Sequence, residues 1–138
     1  MSTYHLEVIT PERVFFSGEV ESLVVSTSEG KLGLLKGHVP MVAGLKAGSL
    51  EMKAEGAWKT AACSEGFVTI WEDGVSVMAH SVLWPEEIDR VRAEEAKQRA
   101  EEMIRQAKSV QEYVHFKASI ARAVARLQVT NNHNVNMD

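Results

Sequence analysis

The sequence predicts a β plus α protein: an antiparallel β domain over residues 1–84, followed by an antiparallel hairpin of two helices over residues 85–138. Three observations predict this division. Apolar and polar residues alternate up to about residue 84, and glycine-containing turns interrupt that alternation at short intervals. After Pro85, a stretch of strong helix formers runs without glycine or proline. Short strands with such turns are typical of a sandwich or a barrel.

The β domain is predicted from alternation in three places. Tyr4, Leu6 and Val8 share one face of the first strand. A second strand ends near Ala54, turns at Glu55–Gly56 and returns, and the residues around EDG form a hairpin. The residues assigned to the inner faces of these last two hairpins are Leu50, Met52, Ala54, Trp58, Thr60 and Ala62, and Val68, Ile70, Val75 and Val77.

The helical part is predicted as helices over about residues 86–108 and 112–129, joined by KSVQ at 108–111. Pro85 suits the first turn of a helix, and the acids that follow it complement the positive end of the helix dipole. Tyr113, Phe116, Ile120, Val124 and Leu127 form the apolar stripe of the second helix. The asparagine-rich tail after Val129 is expected to fray.

Composition excludes several classes of function. A formal net charge of −4 argues against a nucleic-acid partner. No apolar run approaches the roughly 20 residues of a transmembrane helix, and the first residues do not resemble a signal peptide. The single Cys63 fits a reducing compartment, so the sequence predicts a cytoplasmic protein. The five histidines are scattered without metal-ligand spacing, no phosphate-binding loop is present, and no catalytic or metal-binding residue is predicted.

The apolar face of the first predicted helix is mostly alanine. It consists of Ala93, Ala96, Ala100 and Ala107, helped by Ile88, Val91, Met103 and Ile104. Because an alanine side chain buries little area, its burial at roughly 25 cal/mol per Å² contributes little docking energy. The hairpin is therefore predicted to be weakly docked on the β domain and able to leave it.

Four arginines and one acid are predicted to face one another across the hairpin. If two helices fold back about KSVQ, Arg92 lies level with Arg126 and Arg99 level with Arg122, while Asp89 lies one turn before Arg92 and orients it. A guanidinium group can donate two parallel hydrogen bonds to two oxygens of a phosphate group, so a triphosphate is a suitable ligand for several arginines. Two interpretations stay open at this point: an anion site, or a solvated face whose arginines pair with nearby glutamates.

The middle of the chain, SEGKLGLLKGHVPMVAGLKAG, resembles the pattern G-x-L-G-I-L-x-x-H-x-P-L followed by K-x-G of the epsilon subunits of bacterial F-type ATP synthases. TPERVFFSGEVESLVV and the helical hairpin are also similar, so the resemblance extends to about Val129. It implies a β-sandwich of about ten strands before the two helices. Two positions depart from the family: Lys31 stands where an acid is often found, and Glu65 replaces a usual glycine.

The resemblance implies a non-catalytic subunit of the central stalk, peripheral to the cytoplasmic face of the bacterial membrane. Its β domain would bind the gamma subunit and the c-ring, with contacts in the loops of Glu29, Lys31 and His38. The extended hairpin would reach the catalytic alpha and beta subunits. The protein would touch the membrane only through the complex and would couple the catalytic head to ion-driven rotation, by protons or sodium ions.

IDRVRA resembles the I/L-D-x-x-R-A motif of epsilon subunits that bind ATP. It implies ATP as a regulatory ligand that favours the folded hairpin, with no covalently bound cofactor and no metal. Leu83 stands where a relative has an acid. The ATP-binding residues that the resemblance implies are Ile88, Asp89, Arg92, Ala93, Arg99, Arg122 and Arg126. The alternatives are a coupling subunit that binds no ATP, an enzyme acting on a phosphorylated substrate, and a free-standing adaptor.

Overall fold

The computed structural model describes residues 2–137, with side chains described as far as Asn131. Ten strands form two five-stranded sheets, which confirms the predicted β-sandwich of about ten strands. The first sheet has the order β2-β1-β9-β8-β5, with β1 Tyr4–Ile9, β2 Val14–Val20, β5 Met41–Leu45, β8 Gly66–Trp71 and β9 Gly74–Ala79. The second has the order β10-β7-β6-β3-β4, with β3 Ser22–Thr27, β4 Gly30–Leu34, β6 Gly48–Ala54, β7 Ala57–Cys63 and β10 Val82–Leu83.

The strand pairing is antiparallel between the described strands except between β1 and β9, which run parallel. This parallel pair places the first strand in the interior of its sheet, between β2 and β9. Alternation along one strand does not reveal such a long-range pairing, because each strand shows the same period of two in either direction.

The core lies between the two sheets and is formed by the alternating residues that the sequence predicts. Leu6 and Val8 of β1, Leu50 and Met52 of β6, and Val77 of β9 are completely buried. Burial of whole leucine, valine and methionine side chains contributes roughly 1.5–3 kcal/mol each. The sandwich therefore has the apolar core of an independent domain.

The return strand β7 differs from its prediction. Leu50 pairs with Ala61, so Ala61 and Cys63 face the core, whereas Thr60 and Ala62 face outward. Trp58 is 53% exposed. The assignment of Trp58, Thr60 and Ala62 to the inner face was wrong because β6 and β7 meet in a two-residue turn at Glu55–Gly56, which fixes the register.

The first helix is shorter at both ends than its predicted range of 86–108. A 3-10 turn covers Pro85–Glu87, and α1 covers Arg90–Arg105. Ile88 and Asp89 between them are extended, with ψ angles of 123° and 104°. The Asp89 carboxylate accepts a hydrogen bond from the Arg92 backbone N–H at 3.1 Å, so the helix begins after its own N-cap.

The second helix, α2, covers Val110–Met137 and thus begins earlier and extends further than the predicted 112–129. The Ser109 hydroxyl accepts from the Glu112 N–H at 3.1 Å, and the Glu112 carboxylate accepts from the Lys108 N–H at 3.0 Å. These two bonds form a variant of the capping box, for which S-x-x-E at 109–112 is the sequence signal. The helix continues through the tail that was expected to fray, and Asp138 lies outside the described residues.

The hairpin forms two further layers over the second sheet. α2 packs on β6 and β7, and α1 packs on α2. The buried alanines of α1, Ala93 and Ala100, therefore belong to the contact between helices, whereas Val91 and Met103 are exposed. The prediction that the alanine face of the first helix docks on the β domain was wrong, because α2 lies between them. No helix of the described chain is long and apolar enough to cross a membrane.

Candidate ligand-binding site at the base of the hairpin

A cavity of about 310 Å³ lies where the hairpin leaves the sandwich, and we call it the base cavity. β10 and the 3-10 turn form one side, the first two turns of α1 form another, and α2 closes it with one arginine. This volume is at the lower end of the roughly 300–1,000 Å³ of small-molecule sites. The residues that line it are Leu83, Glu87, Ile88, Asp89, Arg92, Ala93, Ala96 and Arg126.

Five of the seven residues predicted to bind ATP line the base cavity. They are Ile88, Asp89, Arg92, Ala93 and Arg126. Arg92 and Arg126, which the folded hairpin was expected to bring level, share it although the turn between the helices comes earlier than KSVQ.

The two arginines of the cavity differ in their surroundings. Arg92 is exposed, and no ion pair joins its guanidinium to another described residue. Arg126 is partly buried and donates to the Ser81 hydroxyl at 3.2 Å. Burial lowers the pKa of Arg126, the charge of Arg122 lowers it further, and Glu65 opposes both effects. Two guanidinium groups line the cavity, so it presents two positive charges to a ligand.

Asp89 has a structural role that differs from its predicted one. Its carboxylate binds the backbone N–H of Arg92 rather than orienting the guanidinium. Residues of the first turns of α1 line the cavity, and the partial positive charge of a helix N-terminus favours an anion nearby.

The other two predicted arginines lie outside the base cavity. Arg99 is exposed on α1. Arg122 forms an ion pair with Glu65 at 2.8 Å and donates to the Ser119 hydroxyl at 3.1 Å. Arg99 is therefore solvated, as one interpretation had it, whereas Arg122 pairs with Glu65 of the sandwich and not with the hairpin glutamates Glu94, Glu95, Glu101 or Glu102 that this interpretation named. The anion-site interpretation fits the surroundings of Arg92 and Arg126.

The side of the cavity formed by β10 and the 3-10 turn is attached to the sandwich by contacts that the sequence analysis missed. Arg13, in the β1–β2 connection, binds both carboxylate oxygens of Glu87 at 2.8 Å and donates to the Val82 carbonyl at 3.2 Å. The ring of Phe15 stacks on Trp84 at 4.4 Å between centroids. These contacts attach the segment before Ile88 to the sandwich, and no local sequence pattern indicates them because they join positions about 70 residues apart.

Glu65 precedes β8 and contacts α2 through Arg122, and Gly66 is the first residue of β8. A Cβ at Gly66 would overlap the Met78 carbonyl oxygen, so this position requires glycine. Glu65 has no such constraint, since Glu55 is the only non-glycine residue with positive φ in the described chain. The acid at 65 is therefore accommodated without backbone strain.

The contact between α2 and the sandwich is loosely packed. A second cavity, of about 690 Å³, lies between α2 and the edge of the second sheet, and we call it the edge cavity. It is lined by Ser26, Gly30, Lys31, Lys46, Ala47, Gly48, Ser49, Glu51, Thr60, Ala125, Gln128 and Val129. Most of the side chains that line this cavity are small or polar, so they add little apolar burial to the contact, and the weak docking of the hairpin stays a prediction.

The residues predicted to contact other subunits lie along one edge of the sandwich. Glu29 is in the β3–β4 turn, Lys31 is the second residue of β4 and pairs with Glu51 at 3.4 Å, and His38 is in the β4–β5 connection. Glu29 and His38 thus flank β4, whose five residues span about 16 Å at roughly 3.3 Å per residue. β4 is the edge strand of its sheet.

Comparison with known proteins gives matches over almost the whole chain. Residues 3–85 match the beta-sandwich domain of the ATP synthase Delta/Epsilon chain, and residues 86–131 match its long alpha-helix domain. The ATP synthase epsilon chain of Caldanaerobacter subterraneus subsp. tengcongensis is 46% identical over 132 residues, covering 95% of this chain and 96% of the relative. That of Ruminiclostridium cellulolyticum is 45% identical over 131 residues, covering 95% and 98%.

A solved structure shares the fold. A chain of the Euglena gracilis mitochondrial ATP synthase, in a structure of OSCP, F1 and the c-ring, superposes with a TM-score of 0.79 at 21% identity, over 93% of this chain and 81% of that one. The two domain matches and the relatives at 45–46% identity together cover almost the whole chain and show its family. It belongs to the family of ATP synthase epsilon chains, which are non-catalytic subunits of that complex.

Proposed function

We propose that this chain is a rotor subunit in the central stalk of a bacterial F-type ATP synthase, and that its hairpin is a brake on ATP hydrolysis that ATP binding releases. The sandwich would bind the gamma subunit and, along the β4 edge with Glu29, Lys31 and His38, the c-ring. The synthase would be driven by protons or sodium ions at the cytoplasmic face of the membrane. The hairpin would dock on the sandwich or extend toward the alpha and beta subunits.

The observation that carries this proposal is the position of the base cavity. Its walls come from parts of the molecule that would separate when the hairpin extends. Leu83 and Glu87 stay with the sandwich, Arg92 belongs to α1, and Arg126 belongs to α2. A ligand that contacts all three parts binds only the docked form, so it shifts the equilibrium toward docking.

The chemistry of the cavity suits a nucleoside triphosphate. Arg92 and Arg126 offer planar donor groups for phosphate oxygens, and the N-terminus of α1 adds a partial positive charge. The two carboxylates of the cavity are already engaged, Glu87 by Arg13 and Asp89 by the backbone of Arg92. Leu83 and Ala96 provide apolar surface for the rest of the ligand.

The free energy that ATP binding supplies would be comparable with the small docking free energy proposed for the hairpin. ATP at nine times its dissociation constant stabilises the docked form by about 1.4 kcal/mol, a tenfold change in the equilibrium. The α2 contact includes a 690 Å³ cavity and two side-chain contacts from arginines, so a change of this size is significant relative to the docking energy. When ATP falls, the hairpin extends and stops wasteful hydrolysis.

Isothermal titration of the chain with ATP tests the site. Arg92→Ala removes charge-assisted hydrogen bonds worth roughly 1.5–3 kcal/mol, so we expect it to weaken ATP binding about tenfold or more. Arg90→Ala, two residues away and outside the cavity, is the matched control and should change affinity less than twofold. In a reconstituted synthase, Arg92→Ala should also increase inhibition of hydrolysis at limiting ATP. No heat at millimolar ATP from the unsubstituted chain would exclude the nucleotide site.

A second candidate is a coupling subunit whose hairpin stays docked without nucleotide. The Arg122–Glu65 pair and the Arg126–Ser81 hydrogen bond favour it, since both arginines already have partners on the sandwich. This candidate predicts that ATP does not bind and that the hairpin does not inhibit hydrolysis at any nucleotide concentration.

A further inference from the structure

One ion pair connects the moving helices to the sandwich. The Arg122 guanidinium donates to the Glu65 carboxylate at 2.8 Å, from α2 to the bend before β8. Among the described residues it is the only ion pair between α1 or α2 and the sandwich. The two side chains are 28% and 45% exposed, so the pair is accessible to competing ions.

The Glu65 carboxylate acts on two arginines at once. Arg122 and Arg126 lie one helical turn apart, an arrangement that is unfavourable for like charges. Arg122 lowers the pKa of Arg126, and Glu65 raises it. Glu65 thus supplies the negative charge that this pair of arginines lacks, which is what a bound phosphate group would do.

The same pair of arginines adjoins the base cavity. Arg126 lines that cavity and also, with Arg122, Ser64 and Ser81, the narrow gap between α2 and the sandwich. A phosphate group at Arg126 would therefore bind one helical turn from Arg122, the arginine that the Glu65 carboxylate contacts. Arginine side chains are long and carry several donors, so Arg122 reaches one acceptor or the other by rotation of its side chain.

We propose that Glu65 is an internal competitor of the nucleotide: it holds Arg122 and docks the hairpin when the site is empty, and it gives up Arg122 when a triphosphate binds. This inference rests on the nucleotide site proposed above. Its consequence is a weakened response to ATP. Without ligand, the Glu65 carboxylate stabilises the docked form of the hairpin. In the docked form, it competes with the nucleotide for Arg122 and so lowers the affinity for ATP.

The test measures docking and binding separately. Spin labels are placed at Lys36 and Val114, both exposed, in the full-length chain with Cys63→Ser, and pulsed electron spin resonance gives the docked fraction. In Glu65→Gln without nucleotide, the ratio of docked to extended chain should fall about two- to fivefold, the range for a partly exposed ion pair. Saturating ATP should restore docking. Corrected for the docked fraction, ATP should bind about two- to fivefold more tightly.

Arg122→Gln separates the two effects of the pair. It should lower docking without nucleotide as Glu65→Gln does, but it should weaken ATP binding, because the shared donor is lost. Glu72→Gln, which removes the same charge from the turn between β8 and β9, should change neither quantity.

An unchanged docked ratio in Glu65→Gln, or a corrected affinity that is equal or weaker, would overturn the competition. If the unsubstituted chain binds no ATP, the proposed nucleotide site fails and the competition fails with it. The docked ratio without nucleotide still decides in that case whether Glu65 holds the hairpin.

Discussion

The sandwich and the hairpin are stabilised in different ways. The largest completely buried side chains all belong to the sandwich: Leu6, Leu23, Leu34, Leu50, Met52, Val8, Val20, Val25, Val68, Val77 and Val82. The buried side chains of the described part of the two helices are mostly small: Ala93, Ala100, Ala123, Ala125, Leu127, Val129 and Thr130. One region has an apolar core of its own, and the other is attached to it through small residues, polar contacts and a large cavity.

This difference is what the proposed function requires, a stable body that carries a movable arm. The stabilisation from apolar burial is proportional to the area buried, so leucine and methionine contribute more to the sandwich than alanine contributes to the hairpin. The contacts that remain at the hairpin, such as Arg122–Glu65, depend on charge and are open to competition by an anionic ligand.

The largest effect is expected for a substitution in the sandwich core. Leu50→Ala should lower the free energy of unfolding by about 2–5 kcal/mol, because Leu50 is completely buried. Leu127→Ala, in α2, should change the unfolding of the sandwich much less and instead increase amide exchange in the hairpin. Denaturation by urea, followed with hydrogen exchange, measures both. Equal loss of sandwich stability in the two variants would show that the regions unfold as one unit.

A smaller effect is expected at the N-cap of α1. Asp89→Ala should destabilise the helix by about 1 kcal/mol, whereas Asp89→Asn should retain most of the cap, because asparagine also accepts from the Arg92 N–H. Exchange of the amides in the first turn of α1 measures the difference, with the exposed Glu94→Ala as control. If asparagine is as harmful as alanine, the charge of Asp89 matters more than its hydrogen bond.

The smallest effect on stability is expected for the ion pair between Arg13 and Glu87 at the base of the hairpin. The hydrogen bonds from Arg13 lower the pKa of Glu87 below its ordinary value. The pair therefore stabilises the fold above the ordinary carboxyl pKa, and this contribution is lost as the pH falls through the lowered folded-state value. Its size should be about 1 kcal/mol or less, since both side chains are partly exposed.

Stability measured against pH for the unsubstituted chain and for Glu87→Gln provides the check. The two curves should differ at neutral pH and converge in acid. A constant difference across the whole range would mean that the ion pair contributes nothing that depends on protonation.

The sequence predicted most of the sandwich and part of the site. Alternation identified the inner faces of β1, β8 and β9, since a period of two is a local property. The assignment failed at Trp58, where the inner face depends on register with β6. IDRVRA indicated the base of the hairpin, and the equal rise per residue of two antiparallel helices allowed Arg92 and Arg126 to be placed level.

Contacts between distant positions were beyond the reach of local patterns. Arg13–Glu87 and Arg122–Glu65 each join residues more than 50 positions apart. Arg99 and Arg122 were grouped with the other arginines because spacing along a helix fixes a face but not the partner that faces it.

The sequence by itself determined the secondary structure, the division into a β part and a helical part, and the small apolar content of the hairpin, because these depend on neighbours in the chain. Only the tertiary structure decided that α2 rather than α1 rests on the sandwich. It also decided which arginines meet in the base cavity and that an acid at 65 already holds one of the others. Those outcomes depend on which surfaces pack together, and packing is decided by the whole chain at once.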